Sequence, residues 1–296
     1  MAIYSIRDLE KLSGIKAHTL RVWEKRYGIV HPKRTQTNIR YYLDEDLQLI
    51  LNIALLNKSG VKISKIAKMT ANEIAVEVGA ISEDNPDEEM QVEVMTLAML
   101  DLDEAKFDRI LETNTQKKGF EQTIMQLIYP FLEKLSLLWL TGSVKPVHEN
   151  FITHLIQRKL LAAIDEIPLS RSRHSKKFFL YLPPGEKQEL SILSLHYLLR
   201  KTGYSVIYLG NENSIIDVKD AYEITKADFI FTIITETFTK VPVQKYVDSL
   251  AEEFPESQIL LTGYQIAAQD VNAKENVTLL YSLGEMLTFL DELKKS

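Results

Sequence analysis

From residue 176 onward the chain repeats one pattern. The short apolar runs KFFLYL, SVIYLG, DFIFTII, QILLTG and VTLLYS are separated by amphipathic stretches of helical period. Runs of Val, Ile, Leu and Phe without polar alternation suit strands buried on both faces, since each face must meet an apolar layer. Strands separated by helices cannot pair as tight hairpins. The pattern therefore predicts a doubly wound, five-stranded parallel sheet within residues 175–296. Ligands of such sheets sit beyond the carboxyl ends of the strands. Here those ends carry Pro183-Pro184-Gly185-Glu186, Gly210-Asn211, Thr235-Glu236 and Gly263-Tyr264.

Upstream the period changes. Between 88 and 170 apolar residues recur at helical spacing, predicting helices over 88–101, 103–117, 119–141 and 146–167 joined by short connections, a four-helix bundle. Asp103 can cap the second, and Pro146 suits the first turn of the fourth. Residues 73–87 include most of the acidic run ISEDNPDEE and read as a linker. With no cysteine among 296 residues, disulfides, thiol catalysis and thiolate metal sites are excluded. No apolar run approaches the eighteen or so residues of a membrane span, so a cytoplasmic protein without a membrane partner is expected. His148, His154, His174 and His196 lack paired ligand spacing and read as surface or satisfied histidines. No phosphate-binding glycine loop or nucleophile motif is present.

The net charge of −6 hides a segregation. Residues 1–70 hold thirteen Lys/Arg against six Asp/Glu, a net of +7, and the remainder carries −13. A basic head on an acidic body is the asymmetry of chains that meet nucleic acid. Within the head, Ser5–Ser13 predicts a short helix with Ile6, Leu9 and Leu12 inward. Gly14-Ile15 is a turn, and Lys16–Tyr27 a second helix with Leu20 and Trp23 inward and His18, Arg21, Lys25 and Arg26 outside. A helix, glycine turn and basic second helix fit a major-groove reader. His31–Tyr42 then reads as a basic, aromatic-interleaved hairpin, a wing suited to phosphates. Asp44 caps a helix running to Lys58, and Gly60-Val61 leads into a last short one.

The order Tyr4-Ser5-Ile6, Gly14-Ile15-Lys16, Thr19 to Glu24, Pro32 to Thr35, Asn38 to Tyr42, Asp46, Gly60-Val61 resembles the MerR family over residues 1–72. The resemblance implies a winged helix-turn-helix that binds near-palindromic double-stranded DNA as a dimer. His18, Arg21 and Arg26 would face DNA from the recognition helix, and Arg34, Asn38, Arg40 and Tyr41 from the wing.

A helical bundle followed by a five-stranded α/β domain resembles the cobalamin-binding module shared by corrinoid methyltransferases and light-responsive carotenoid repressors. Residues 88–170 would be the cap over the corrin and 175–296 the Rossmann-like part. In that family an acid, one residue, a histidine, two residues and a glycine follow the first strand, and the histidine ligates cobalt. This chain has Glu186, Gln188 and Ser191 at those places. The cap signature, a tryptophan and then Glu-His, reads Trp139, then Glu149 and Asn150, and Leu140 stands where light-responsive members carry an upper-face histidine. Thr232 to Thr235 stands for a serine-containing strand end, and Thr262-Gly263 for a glycine pair. An amide is a far poorer cobalt ligand than imidazole. Two readings follow: cobalamin binds with its own base or water below the metal, or the pocket serves another ligand or none.

The fold class expected is mainly α plus α/β. The function expected is that of a non-enzymatic transcriptional regulator, a repressor acting as a homo-oligomer and modulated through its cobalamin-binding-like module. The alternatives are a corrinoid carrier or enzyme subunit, and a regulator controlled by an antirepressor protein with no small ligand.

Overall fold

In the computed structural model, which describes residues 4–34, 38, 40–82, 87–140, 144–169, 175–235 and 242–294, the head opens with α1 (Ile6–Ser13) and α2 (Ala17–Tyr27). Ser5 and Asp8 cap α1 reciprocally, at 3.3 and 2.7 Å. Gly14 ends it at φ 71°, a left-handed conformation glycine adopts without a Cβ penalty. Helix α2 has no side-chain cap of its own. Glu10 of α1 supplies one, accepting from the Ala17 N–H at 3.1 Å and pairing with Lys16 at 3.2 Å. That backbone donor, then Lys16, holds the Glu10 carboxyl below its usual range.

Strands β1 (Lys33–Arg34) and β2 (Arg40–Tyr41) form the antiparallel wing. Its base is pinned to the N-terminal segment, where Tyr4 and Tyr42 exchange two backbone bonds of 2.9 Å. Helix α3 (Asp44–Lys58) follows. Asp46, not the expected Asp44, closes its start by accepting from the Leu43 N–H at 2.8 Å. Asp44 is already the first helical residue, one position past the N-cap, which is Leu43. Helix α4 (Ile63–Ile66) completes the head.

The stretch expected as a linker is largely helical: α5 spans Ala71–Ser82. Thr70 and Glu73 form its capping box, and Ile74 and Val78, one turn apart, are buried. Residues 83–86 lie outside the described residues.

The bundle comprises α6 (Glu88–Leu100), α7 (Glu104–Lys118), α8 (Phe120–Thr123), a π-helical turn at Ile124–Ile128, α9 (Tyr129–Leu140) and α10 (Pro146–Asp165). Asp103 caps α7 through the Lys106 N–H at 3.0 Å. The widened π turn sits just before Pro130, which has no N–H for the carbonyl one turn back. Helix α6 is buried almost all round, from Met90 through Met99, as a helix apolar on every side requires. It packs against α3, α5, α7 and α9. Head and bundle therefore share one unit, Met1–Leu155, and the division from the second unit, Ile156–Ser296, falls inside α10.

The second unit is the expected α/β domain. Strands β3 (Lys177–Tyr181), β4 (Ser205–Gly210), β5 (Phe229–Ile233), β6 (Gln258–Thr262) and β7 (Val277–Leu280) are all parallel, in the order β4-β3-β5-β6-β7. Helices α11 (Glu189–Lys201), α12 (Ile215–Thr225), α13 (Val243–Glu253), α14 (Tyr264–Ala268) and α15 (Leu283–Leu293) alternate with them. Phe179, Ile230 and Leu261 anchor the core on one face, and Phe178, Phe231 and Leu260 on the other. The strand order reverses between β3 and β5, and this places a ligand crevice at their carboxyl ends.

Phe107 of α7 is fully buried, its ring 5.7 Å from that of Phe131 in edge-on geometry. Phe107→Ala should cost about 3–5 kcal/mol through lost burial and a cavity. Urea denaturation monitored over the Met1–Leu155 unit measures it, and a loss under about 1 kcal/mol would show that α7 is not anchored there.

Candidate functional site

Helix α2 divides by its 3.6-residue period. Leu20 and Trp23 are buried and α2 packs on α1, so Trp23 is core, as is Tyr42. His18, Arg21, Lys25 and Arg26 are exposed on the opposite arc. Arg26 lies 5.5 Å from the Tyr27 ring centroid, a cation–π contact that steadies its stem. The His18 Nε2 is 3.3 Å from the Thr19 hydroxyl. These side chains form a cationic face on a helix whose start and tilt are set by the Glu10 cap.

The wing residues are more committed than their sequence suggests. Arg34 donates through one nitrogen to the Asn38 side-chain oxygen at 2.8 Å and to its carbonyl at 3.3 Å. Asn38 sits at φ 65°, a conformation its short polar side chain tolerates. Both are exposed, and a guanidinium has five donors, so Arg34 retains capacity for phosphate. Arg40 is half-buried and donates from Nε to Glu24 of α2 at 3.3 Å, bracing wing strand to helix. The other Glu24 oxygen is buried with no hydrogen-bond partner among the described residues. Tyr41 is half-buried beside it. Nothing in local sequence marks a brace between residues sixteen apart.

In the α/β unit the strand-end residues are drawn into the loops' own bonding. Glu186 is 3% exposed. One carboxylate oxygen accepts from the Thr235 N–H at 2.7 Å, bridging the β3 and β5 loops across the crevice, and the other accepts from the Lys187 N–H at 2.9 Å. Gln188, half-buried, precedes α11 and accepts from the Ser191 hydroxyl at 3.3 Å. The loop after β4 is knitted by Asn213, whose side-chain amide donates to the carbonyls of Leu209, Gly210 and Asn211, while Glu212 accepts from the Gly185 N–H at 3.0 Å. Gly263 is required by its own chain: a Cβ there would lie 2.4 Å from the Ile234 carbonyl oxygen, at φ +116°. Thr232 is fully buried within β5.

Sequence reasoning missed a cluster beside Gln188. The Tyr208 hydroxyl lies 3.4 Å from Glu189 and 3.2 Å from Asn211, and the Asn211 amide donates to Glu189 at 3.1 Å. Burial, then Glu189, raises the Tyr208 hydroxyl well above its usual range. The hydrophobic strand pattern around Tyr208 had concealed its polar end. Glu149 and Asn150 lie on α10, half-buried and exposed respectively. Trp139 belongs to α9, but its side chain, like Glu236 and His174, lies outside the described residues.

Comparison with known proteins gives two family matches. Residues 4–73 match the model described as MerR HTH family regulatory protein, and residues 91–163 match the one described as B12 binding domain. The chain is 27% identical to the HTH-type transcriptional repressor CarH of Myxococcus xanthus, across 77% of each protein. It is 22% identical to the HTH-type transcriptional repressor CarA of the same organism, across 94% of this chain and 90% of that one. The HTH-type transcriptional regulator MlrA of Escherichia coli (strain K12) is 37% identical over 73 residues, 25% of this chain and 30% of its own.

His196 departs from the expectation of a surface or satisfied histidine. It is 9% exposed on α11, its ring 6.0 Å from that of Tyr208, and neither nitrogen has a hydrogen-bond partner among the described residues. Burial, then the Arg200 charge, lowers its pKa from 6.5 to about 4. The unfolded chain takes up this proton near pH 6.5 while the folded chain resists it, so stability is full above 6.5 and falls as pH drops toward 4. His196→Leu should flatten that slope in urea denaturation followed across the interval. An unchanged slope would assign the acid sensitivity to other groups.

Proposed function

Because the chain joins a MerR-family head to a bundle of the B12-binding-domain family, we propose that it is a repressor holding near-palindromic operator DNA as a homodimer or higher oligomer, with α2 in the major groove and the wing along the phosphates. A DNA-binding transcriptional regulator with a cobalamin-binding-type sensor is what both family matches and the full-length relatives support. The observation that carries the reading is the exposed row of His18, Arg21, Lys25 and Arg26 on a helix held by Glu10 at its start and braced to the wing by Arg40. No helix among the described residues is long and apolar enough to cross a membrane. The protein acts in the cytoplasm by binding and not by catalysis.

The sensor residues do not fit a cobalt ligated by the protein. Glu186 spends both oxygens on backbone N–H groups, Gln188 engages Ser191, and among the described strand-end residues there is no imidazole to stand below the metal. A corrinoid seated here would bring its own lower ligand. The commitment of Glu186 and Gln188 to partners within the chain supports a second reading, in which an antirepressor protein and no small molecule works the switch.

Two experiments test these readings. On a duplex selected by the wild-type chain from a random pool, Arg21→Ala should weaken binding by roughly 1–3 kcal/mol without moving the thermal midpoint, because its side chain is exposed. Arg40→Ala should lower both, since it also breaks the Glu24 brace. Wild-type affinity should fall steeply with salt. Salt-independent binding, or none, would overturn the DNA-binding reading.

The second experiment is a titration with hydroxocobalamin followed by visible absorption. It should show no histidine-ligated spectrum for the wild type and tighter binding for the double variant Gln188→His, Ser191→Gly. Tight wild-type binding with an imidazole-ligated spectrum would refute the lost-ligand reading. Absence of binding by both proteins would favour the antirepressor.

A further inference from the structure

Val22 is an apolar residue in the middle of a cationic surface. It is 50% exposed on α2, four residues after His18 and three before Lys25, so it shares their outward arc and is flanked by Arg21 and Arg26. The buried side of the helix is served by Leu20 and Trp23. Folding gives no reason for valine here. A β-branched side chain loses rotamer freedom in a helix, and at an exposed position it recovers little of that cost by burial. A lysine, glutamine or arginine would serve the helix better.

In the major groove an isolated apolar group has one base-edge partner to match, the C5-methyl of thymine. Its charged neighbours suit phosphates and the acceptors of guanine, which an isopropyl group cannot address. We infer that Val22 is a specificity-determining residue that reads the methyl group of one thymine in each operator half-site. The inference rests on the reading of α2 as the groove-entering helix. The Glu24–Arg40 brace, two residues from Val22, holds this part of α2 against the wing strand, giving the valine the fixed placement that a single methyl contact needs.

The test uses the full-length chain and the duplex it selects from a random pool. Each thymine is replaced in turn by uracil, which differs only by lacking the methyl. One position per half-site should weaken wild-type binding about fourfold, the equivalent of one buried methyl group. Val22→Ala, which removes the contact from both half-sites of a dimer, should weaken binding to the thymine duplex about sixteenfold and show no further loss with uracil there. Circular dichroism checks that the variant folds, and sedimentation checks its oligomeric state. Sequence-specific wild-type binding with a flat uracil scan would overturn the role of Val22 alone. So would a Val22→Ala loss that persists unchanged with uracil, or one that follows a changed oligomeric state. Failure of the wild type to select any sequence would overturn the groove-reading premise itself.

Discussion

Helix α6 has no side to give to water, and the first unit is organised around that constraint. With Met90, Val94, Met95, Leu97, Ala98 and Met99 all buried, an apolar neighbour is needed in every direction. Two of those neighbours, α7 and α9, come from the bundle, while α3 comes from the DNA-binding head and α5 from the segment between them. Polar contacts fix the register of α3 on α6 at both ends: Gln48 donates to Asp101, and Lys58 pairs with Glu89 at 2.9 Å. The head is thus built onto the bundle and not tethered beside it. A rearrangement of α6 would be felt at α3 directly, through shared packing.

What could be read from sequence follows the range of the interactions involved. The five apolar runs found their places as parallel strands because each is written locally in the chain, although only the inner strands are buried on both faces and every residue of edge strand β4 is half-buried. The turn at Gly14 and the outward arc of α2 were equally local. What stayed hidden lay where a nearby composition outweighed a short motif, or where the partner was remote. The acidic run after residue 80 hid the Thr70–Glu73 capping box and the Ile74–Val78 pair, so a helix was read as a linker. The Arg40–Glu24 brace stayed hidden because its partner is sixteen residues away, and the Glu186–Thr235 bond because nothing near Glu186 announces Thr235.

The α/β unit shows strand-end residues of the expected types engaged within the chain's own loops. Glu186 occupies the expected place after β3, and its two carboxylate oxygens accept from the Thr235 and Lys187 N–H groups. Gly263 occupies the expected place after β6, yet the Ile234 backbone already fills the space its missing side chain leaves. Residue identity alone would count both as matches. Their hydrogen-bond partners and nearest atoms show a part that each plays in the chain's own loops.

The π turn at Ile124–Ile128 has a bearing on how this chain tolerates changes of length. A π turn accommodates one residue more than an α turn, so the helical segments on either side keep the facing they would have if that residue were absent. Elsewhere in a helix, deleting one residue swings everything beyond it by roughly 100° and turns the buried stripe toward solvent. Here a deletion would relax the turn to ordinary helix and leave Phe131 facing Phe107. Among the bundle's packed helices, this is the place where a shorter relative could align without rebuilding its core.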